Sequence, residues 1–155
     1  MKNTIGLDSK KSEQLAGKLN DLLANYQLFY INARGIHWNI TGEKFFELHV
    51  KFEELYNDTL VKVDEVAERI RTLDHIPLHS FTEYLKQSTI KESTGITDGK
   101  EAVKKVVSSF QVLLEKEREV LKLAEDANDE GTVALMSDYI RQQEKQVWMF
   151  SAYLK

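Results

Sequence analysis

The sparsest feature of this chain is its supply of turn residues: one proline and seven glycines in 155 residues. An all-β domain needs turn signals roughly every 8–12 residues, and here they cluster, with Gly35 and Gly42, then Pro77, then Gly95 and Gly99, then Gly131. Long uninterrupted helices are what such spacing permits. Leu15, Leu19, Leu22, Tyr26, Phe29 and Ala33 recur at steps of three and four and predict a first helix running to His37. Asn39-Ile40-Thr41-Gly42 reads as a turn, with Thr41 as N-cap of a second helix. That helix carries Phe45, Leu48, Phe52, Leu55, Thr59, Val63, Val66, Ile70 and Leu73 on its core face and is about 40 Å long.

Between Asp74 and Thr97 the periodicity lapses, and the only proline lies there. Ser80-Phe81-Thr82-Glu83 has the form of a capping box and predicts a short helix at 81–88, covering an apolar patch. A third long helix begins after Asp98, with Glu101 completing a second capping box, buries Val103, Val106, Phe110, Leu113, Val120 and Ala124, and ends near Asp126. After Asn128-Asp129-Glu130-Gly131, a fourth is carried by Val133, Met136, Ile140, Val147 and Phe150. Antiparallel neighbours need only about 2–8 residues of connection. The far longer link between the second and third long helices must therefore run the length of the bundle. Two short-loop hairpins joined by one long crossover is the all-α, ferritin-like four-helix arrangement.

The length fits one domain over 1–155, with 1–11 as a flexible N-terminal tail. No cysteine is present, which removes disulfides, thiolate metal sites and a cysteine nucleophile together, so any metal must sit on His, Asp or Glu. The net charge of -4 gives no overall attraction to nucleic acid or membrane. No apolar run approaches a membrane span or a signal sequence, and a cytoplasmic location is expected.

Beside the apolar stripe of the second helix runs a polar one. Counted at about 100° per residue from Leu48, His49, Glu53, Asn57, Asp64 and Glu68 fall between about 100° and 200°. Asp64 and Glu68, at i and i+4, can turn their carboxylates to one cation, and His37 closes the preceding helix. Histidine and carboxylate without thiolate suits non-haem iron, manganese or zinc. Taken singly, each residue also has an ordinary reading. The acidic pair, flanked by Lys62, Arg69 and Arg71, fits a solvated salt-bridge face; His37 fits a helix dipole; His49 fits a buried histidine, Trp38 packing, and His75 and His79 plain loop positions. Asp126, Asp129 and Glu130 read either as a capping turn or as the lining of a cation pore.

Together these residues resemble one family. The chain reads Asn32-Ala-Arg-Gly-Ile-His-Trp-Asn-Ile-Thr-Gly, then Phe45-Phe-Glu-Leu-His, Phe52-Glu-Glu-Leu-Tyr, and Asp64-Glu-Val-Ala-Glu-Arg-Ile-Arg71, closing with Val147-Trp148-Met149-Phe150. This pattern resembles the Dps proteins, mini-ferritins named for DNA protection during starvation. The resemblance implies a hollow dodecamer that oxidises Fe(II), preferably with hydrogen peroxide, and stores the ferric product. By position it places the ligands for one or two irons on His37, His49, Asp64 and Glu68, with Glu53 as an additional carboxylate in some members. Trp38 would intercept stray oxidising equivalents.

Helix geometry adds one constraint. His49 and Asp64 are fifteen residues apart on one helix, about 22 Å, against metal–ligand bonds of about 2.0–2.2 Å. One chain cannot complete the site, but two copies of the helix crossing antiparallel near Tyr56 to Asp58 can. The residues three before the histidines are Arg34, Phe46, Thr72 and Ile76, so the Glu-x-x-His pattern of ordinary ferritin sites is absent. The rival reading is a nucleoid-associated DNA-compacting protein with iron chemistry secondary. Such proteins use basic tails, whereas this N-terminus sets Lys2, Lys10 and Lys11 against Asp8 and Glu13. A metal-free helical scaffold is the other.

Overall fold

The computed structural model describes all 155 residues. Its helices are α1 (Ser9–Asn39), α2 (Phe45–Thr72), α3 (Phe81–Gln87), α4 (Gly99–Asp126) and α5 (Glu130–Tyr153). α1 packs along α2 and α4 along α5, as two hairpins; α1 also touches α4, and α3 lies on α1. This is the ferritin-like connectivity, with the short helix inside the crossover. One hydrophobic core runs through it, and every apolar position expected on α1 and α4 is buried. On α2, Leu48, Phe52, Leu55, Thr59, Val66, Ile70 and Leu73 are buried, while Phe45 and Val63 pack at the margin.

Both expected cap residues start their helices, Ser80 accepting from the Glu83 N–H and Asp98 from the Glu101 N–H, without return bonds from the glutamate side chains. Thr41 does not cap α2. Its N–H and hydroxyl both bond Thr97 O, tying the hairpin loop to the end of the crossover, and Lys44 occupies the cap position without a side-chain bond. α1 begins at Ser9, inside the segment expected as tail. Residues 2 and 8 form a β-bridge, Asn3 Nδ2 donates to Ser12 Oγ at 3.1 Å, and Asp8 caps α1 through the Lys11 N–H.

Three asparagines of α1 hold the crossover down. Asn20 bonds Ile76 O and the Leu78 N–H, and Asn32 bonds Lys91 O and the Ser93 N–H. Asn25, fully buried, accepts from the N–H groups of Thr89 and Ile90, each at 3.0 Å, and from Ser88 Oγ. An irregular strand laid on a helix bundle has no ladder for its backbone groups, and these amides supply the missing partners.

The turn between α4 and α5 is a lock. Asp129 is buried, caps α5 through the Thr132 N–H and pairs with Arg69 of α2 at 2.6 Å. A Cβ at Gly131 would lie 2.6 Å from the Arg69 guanidinium, so glycine here lets that side chain reach Asp129 without being displaced. Of the three acids considered for a pore, Asp129 is thus committed to an ion pair within the chain, whereas Asp126 and Glu130 stay exposed.

Candidate metal centre

α1 ends and α2 begins against each other, and this junction brings His37 and His49 together. The rings stack, with centroids 3.8 Å apart and planes at 14°. His37 Nδ1 lies 2.6 Å from His49 O, and His49 Nδ1 lies 2.8 Å from His37 O. A carbonyl oxygen only accepts, so both neutral rings carry their proton on Nδ1 and leave the Nε2 lone pair free. Backbone acceptors of this kind orient histidines as metal ligands. His37 O is available because it lies in the last turn of α1, where carbonyls have no intrahelical partner.

Aromatic rings frame the pair: Phe45 stacks on His49 at 5.0 Å and Tyr56 stands edge-on to His37 at 5.2 Å. The Arg34 guanidinium lies over Tyr56 at 5.1 Å, Trp38 at 5.2 Å and Tyr30 at 5.8 Å. Trp38 is 58% exposed, so it covers Arg34 from outside and is no part of the core.

Asp64 and Glu68 are exposed on the outer side of α2, in line with exposed Val50, Glu53, Asn57 and Leu60. The basic residues beside them are engaged elsewhere. Lys62 binds Asp58 and Gln142, Arg69 binds Asp129 and Thr132, and Arg71 donates to His75 O. None forms an ion pair with the two carboxylates within the chain. Within one chain no three His, Asp or Glu side chains come together to hold a metal. The imidazole pair sits where the last turn of α1 meets the first two turns of α2, and the acidic pair lies in the last three turns of α2. His79 bonds Pro77 O within its own loop, and His75 serves as a backbone acceptor. The Arg34 cluster had no signal in the sequence, since an arginine on an amphipathic helix is ordinarily solvated.

Residues 16–155 match the ferritin-like domain family. Across nearly its whole length the chain is 42% identical to the DNA protection during starvation protein of Porphyromonas gingivalis, covering 99% of this chain and 98% of that one. The chain belongs to the Dps family. Its fold superposes on the crystal structure of a Vibrio cholerae Dps protein with a TM-score of 0.98 at 57% identity, covering 99% and 97% of the two chains. That protein is described as a member of a superfamily of ferritin-like diiron-carboxylate proteins. A Dps protein from Bacillus brevis matches with a TM-score of 0.92 at 33% identity, over 96% of this chain and 99% of that one. Within this family the donor set, two bare imidazole nitrogens and two unneutralised carboxylates, fits iron binding and stress protection in general terms.

Proposed function

We propose that the protein is a ferroxidase that oxidises Fe(II), preferably with hydrogen peroxide, and retains the Fe(III) inside a hollow homododecamer in the cytoplasm. The observation that carries this reading is the mutual hydrogen bonding of His37 and His49, which occupies both Nδ1 atoms and leaves two Nε2 atoms free where the same chain offers no third ligand. The missing ligands are Asp64 and Glu68 of a two-fold-related copy, brought opposite when two α2 helices cross antiparallel. The exposed apolar residues Val50, Leu60 and Val61 on that helix then become interface contacts.

At such a site Fe(II) is the substrate. Asp64 and Glu68 neutralise the charge gained as Fe(II) becomes Fe(III), and the imidazoles bind without adding charge. Two Fe(II) each give one electron to one peroxide. Its O–O bond breaks, two protons are taken up and two waters leave, so no hydroxyl radical is released. Glu53 is exposed on the same face of α2 and would be the additional carboxylate.

Iron oxidation followed optically, with peroxide and with air, tests this. Peroxide should be the faster oxidant and hydroxyl-radical yield should drop below that of free iron. Asp64→Ala with Glu68→Ala should abolish the fast phase and leave the helical content intact, because exposed side chains without partners move stability by at most about 0.5 kcal/mol. Radical yield equal with and without protein would overturn the protective mechanism. Unfolding of the double variant would assign the acids a structural role.

A further inference from the structure

The centre of the bundle, on the far side of α2 from the exposed acids, holds polar groups that the iron chemistry does not use. Glu117 of α4 is completely buried, with Tyr26 of α1 and Gln143 of α5 beside it at 1% and 2% exposure. Tyr26 Oη donates to Glu117 Oε2 at 2.5 Å, and Gln143 Nε2 donates to Tyr26 Oη at 2.6 Å. Two acceptors are left over: Glu117 Oε1 and Gln143 Oε1 are buried without any partner. Both belong to groups converging on one hydroxyl, and both lack the same thing, a hydrogen.

The directions of the two existing bonds are forced. Burial, and then the Glu117 carboxylate, push the Tyr26 phenol well above its ordinary range, so its single O–H is present and points at Glu117. Gln143 then reaches Tyr26 Oη through its N–H, which leaves Oε1 as the amide atom without a partner. An ionised Glu117 would therefore be a buried charge with one bare oxygen, in a cluster whose amide holds a second, a costly arrangement.

We propose that Glu117 is a buried proton-binding site: its Oε1 carries a proton and donates it to Gln143 Oε1, closing a ring in which Glu117, Gln143 and Tyr26 each donate once and accept once. One proton satisfies both orphaned oxygens and ties α1, α4 and α5 together at mid-bundle. The charged and titratable groups around the carboxyl are Tyr26 from α1, Lys62 from α2, Tyr139 from α5 and Arg118 on α4 itself. Lys62 does not neutralise it, since its ammonium is held by Asp58 and Gln142 and lies 5.0 Å from the Tyr139 ring. Tyr139 in turn donates to Glu65 at 2.9 Å and not to Glu117. Burial raises the Glu117 pKa from 4.5 to about 7, outweighing the Tyr26 hydroxyl, the nearby Gln143 amide and the charges of Lys62 and Arg118, which lower it.

The ring makes bundle stability sensitive to pH in a defined direction. The folded chain keeps this proton where the unfolded chain has lost it, so stability is greatest in acid and falls as pH rises from the ordinary glutamate range through about 7. The folded-to-unfolded ratio should drop by up to tenfold per pH unit over that window through this group alone. Glu117→Gln is the fixed analogue of the protonated state: its amide N–H donates to Gln143 and its carbonyl accepts from Tyr26.

Equilibrium unfolding in urea, at one protein concentration and without metal, should show the wild type losing stability relative to Glu117→Gln as pH rises from about 5 to about 8. Glu117→Met, which cannot titrate either, should give the same relative slope. Infrared spectroscopy of the folded wild type should show the carbonyl band of an un-ionised carboxylic acid that is absent from both variants and titrates away near neutrality. Parallel pH profiles for wild type and variants would overturn the proposal. So would a wild type lacking the un-ionised band at about pH 6, which would mean that the two oxygens share a trapped water beside a charged Glu117.

Discussion

His37 and His49 fix each other by main-chain carbonyls, and no acid intervenes. Each ring in its neutral form then offers a lone pair on Nε2, and in the proposed site the negative charge would come from Asp64 and Glu68. In the metal-free protein, nitrogen-edited NMR of the neutral rings should find both histidines protonated on Nδ1 and bare on Nε2. Signals from the opposite tautomer would contradict the hydrogen bonds at 2.6 and 2.8 Å. The resemblance to the Dps proteins, and not spacing alone, proposed these residues as ligands, since each taken singly also had an ordinary reading. The tautomer was not legible, since it depends on which carbonyls the turn leaves open.

Among the elements, the crossover departs most from what pattern alone could supply. Its short helix and cap were legible in Ser80-Phe81-Thr82-Glu83. The asparagines that hold it were not, because Asn20, Asn25 and Asn32 on a helix look like surface residues until the segment they bind is placed. Asn25→Ala should strand the buried N–H of Ile90 and the part-buried N–H of Thr89, costing about 1–3 kcal/mol, while Ser88 Oγ keeps its bond to Ile90 O. Hydrogen exchange at Thr89 and Ile90 should quicken well before exchange in α4. Uniform protection of both segments in the variant would show that the clamp carries no load. α5 departs for a related reason: its core face is carried by Tyr139 and Gln143, with Ile140 only partly buried. A stripe counted on apolar residues slips where the core itself is polar, and the Glu117 ring is what makes it polar. Thr41 failed as a cap because Thr97, more than fifty residues on, had a stronger use for its N–H.

For the whole molecule, four helices, two hairpins and one long link could be read from the placing of Pro77 and the glycines, and the matching Dps structures have the same arrangement. Charge distribution sets a further expectation at this scale. Net charge is -4, and Lys11 of the N-terminal segment is spent on Asp126 O at 2.9 Å. Few counterions can be released on contact with DNA. No stable complex should form at neutral pH in about 0.15 M salt, and a tight band shift there would contradict this. A shift confined to acid pH, or to added divalent cation, would be a bridged contact of another kind.

The central claim, that each iron site takes its imidazoles from one chain and its carboxylates from another, is open to a direct complementation measurement. One variant lacks both histidines (His37→Ala, His49→Ala) and a second lacks both acids (Asp64→Ala, Glu68→Ala). Each alone should assemble without activity. After dissociation and joint reassembly, half of the two-fold interfaces pair unlike chains. Each of these contains one site with intact histidines facing intact acids and one site damaged on both sides, so about a quarter of all sites are whole. Ferroxidase activity near one quarter of wild type is the predicted result. No recovered activity, with subunit exchange verified, would show that the histidines and carboxylates do not meet across the interface.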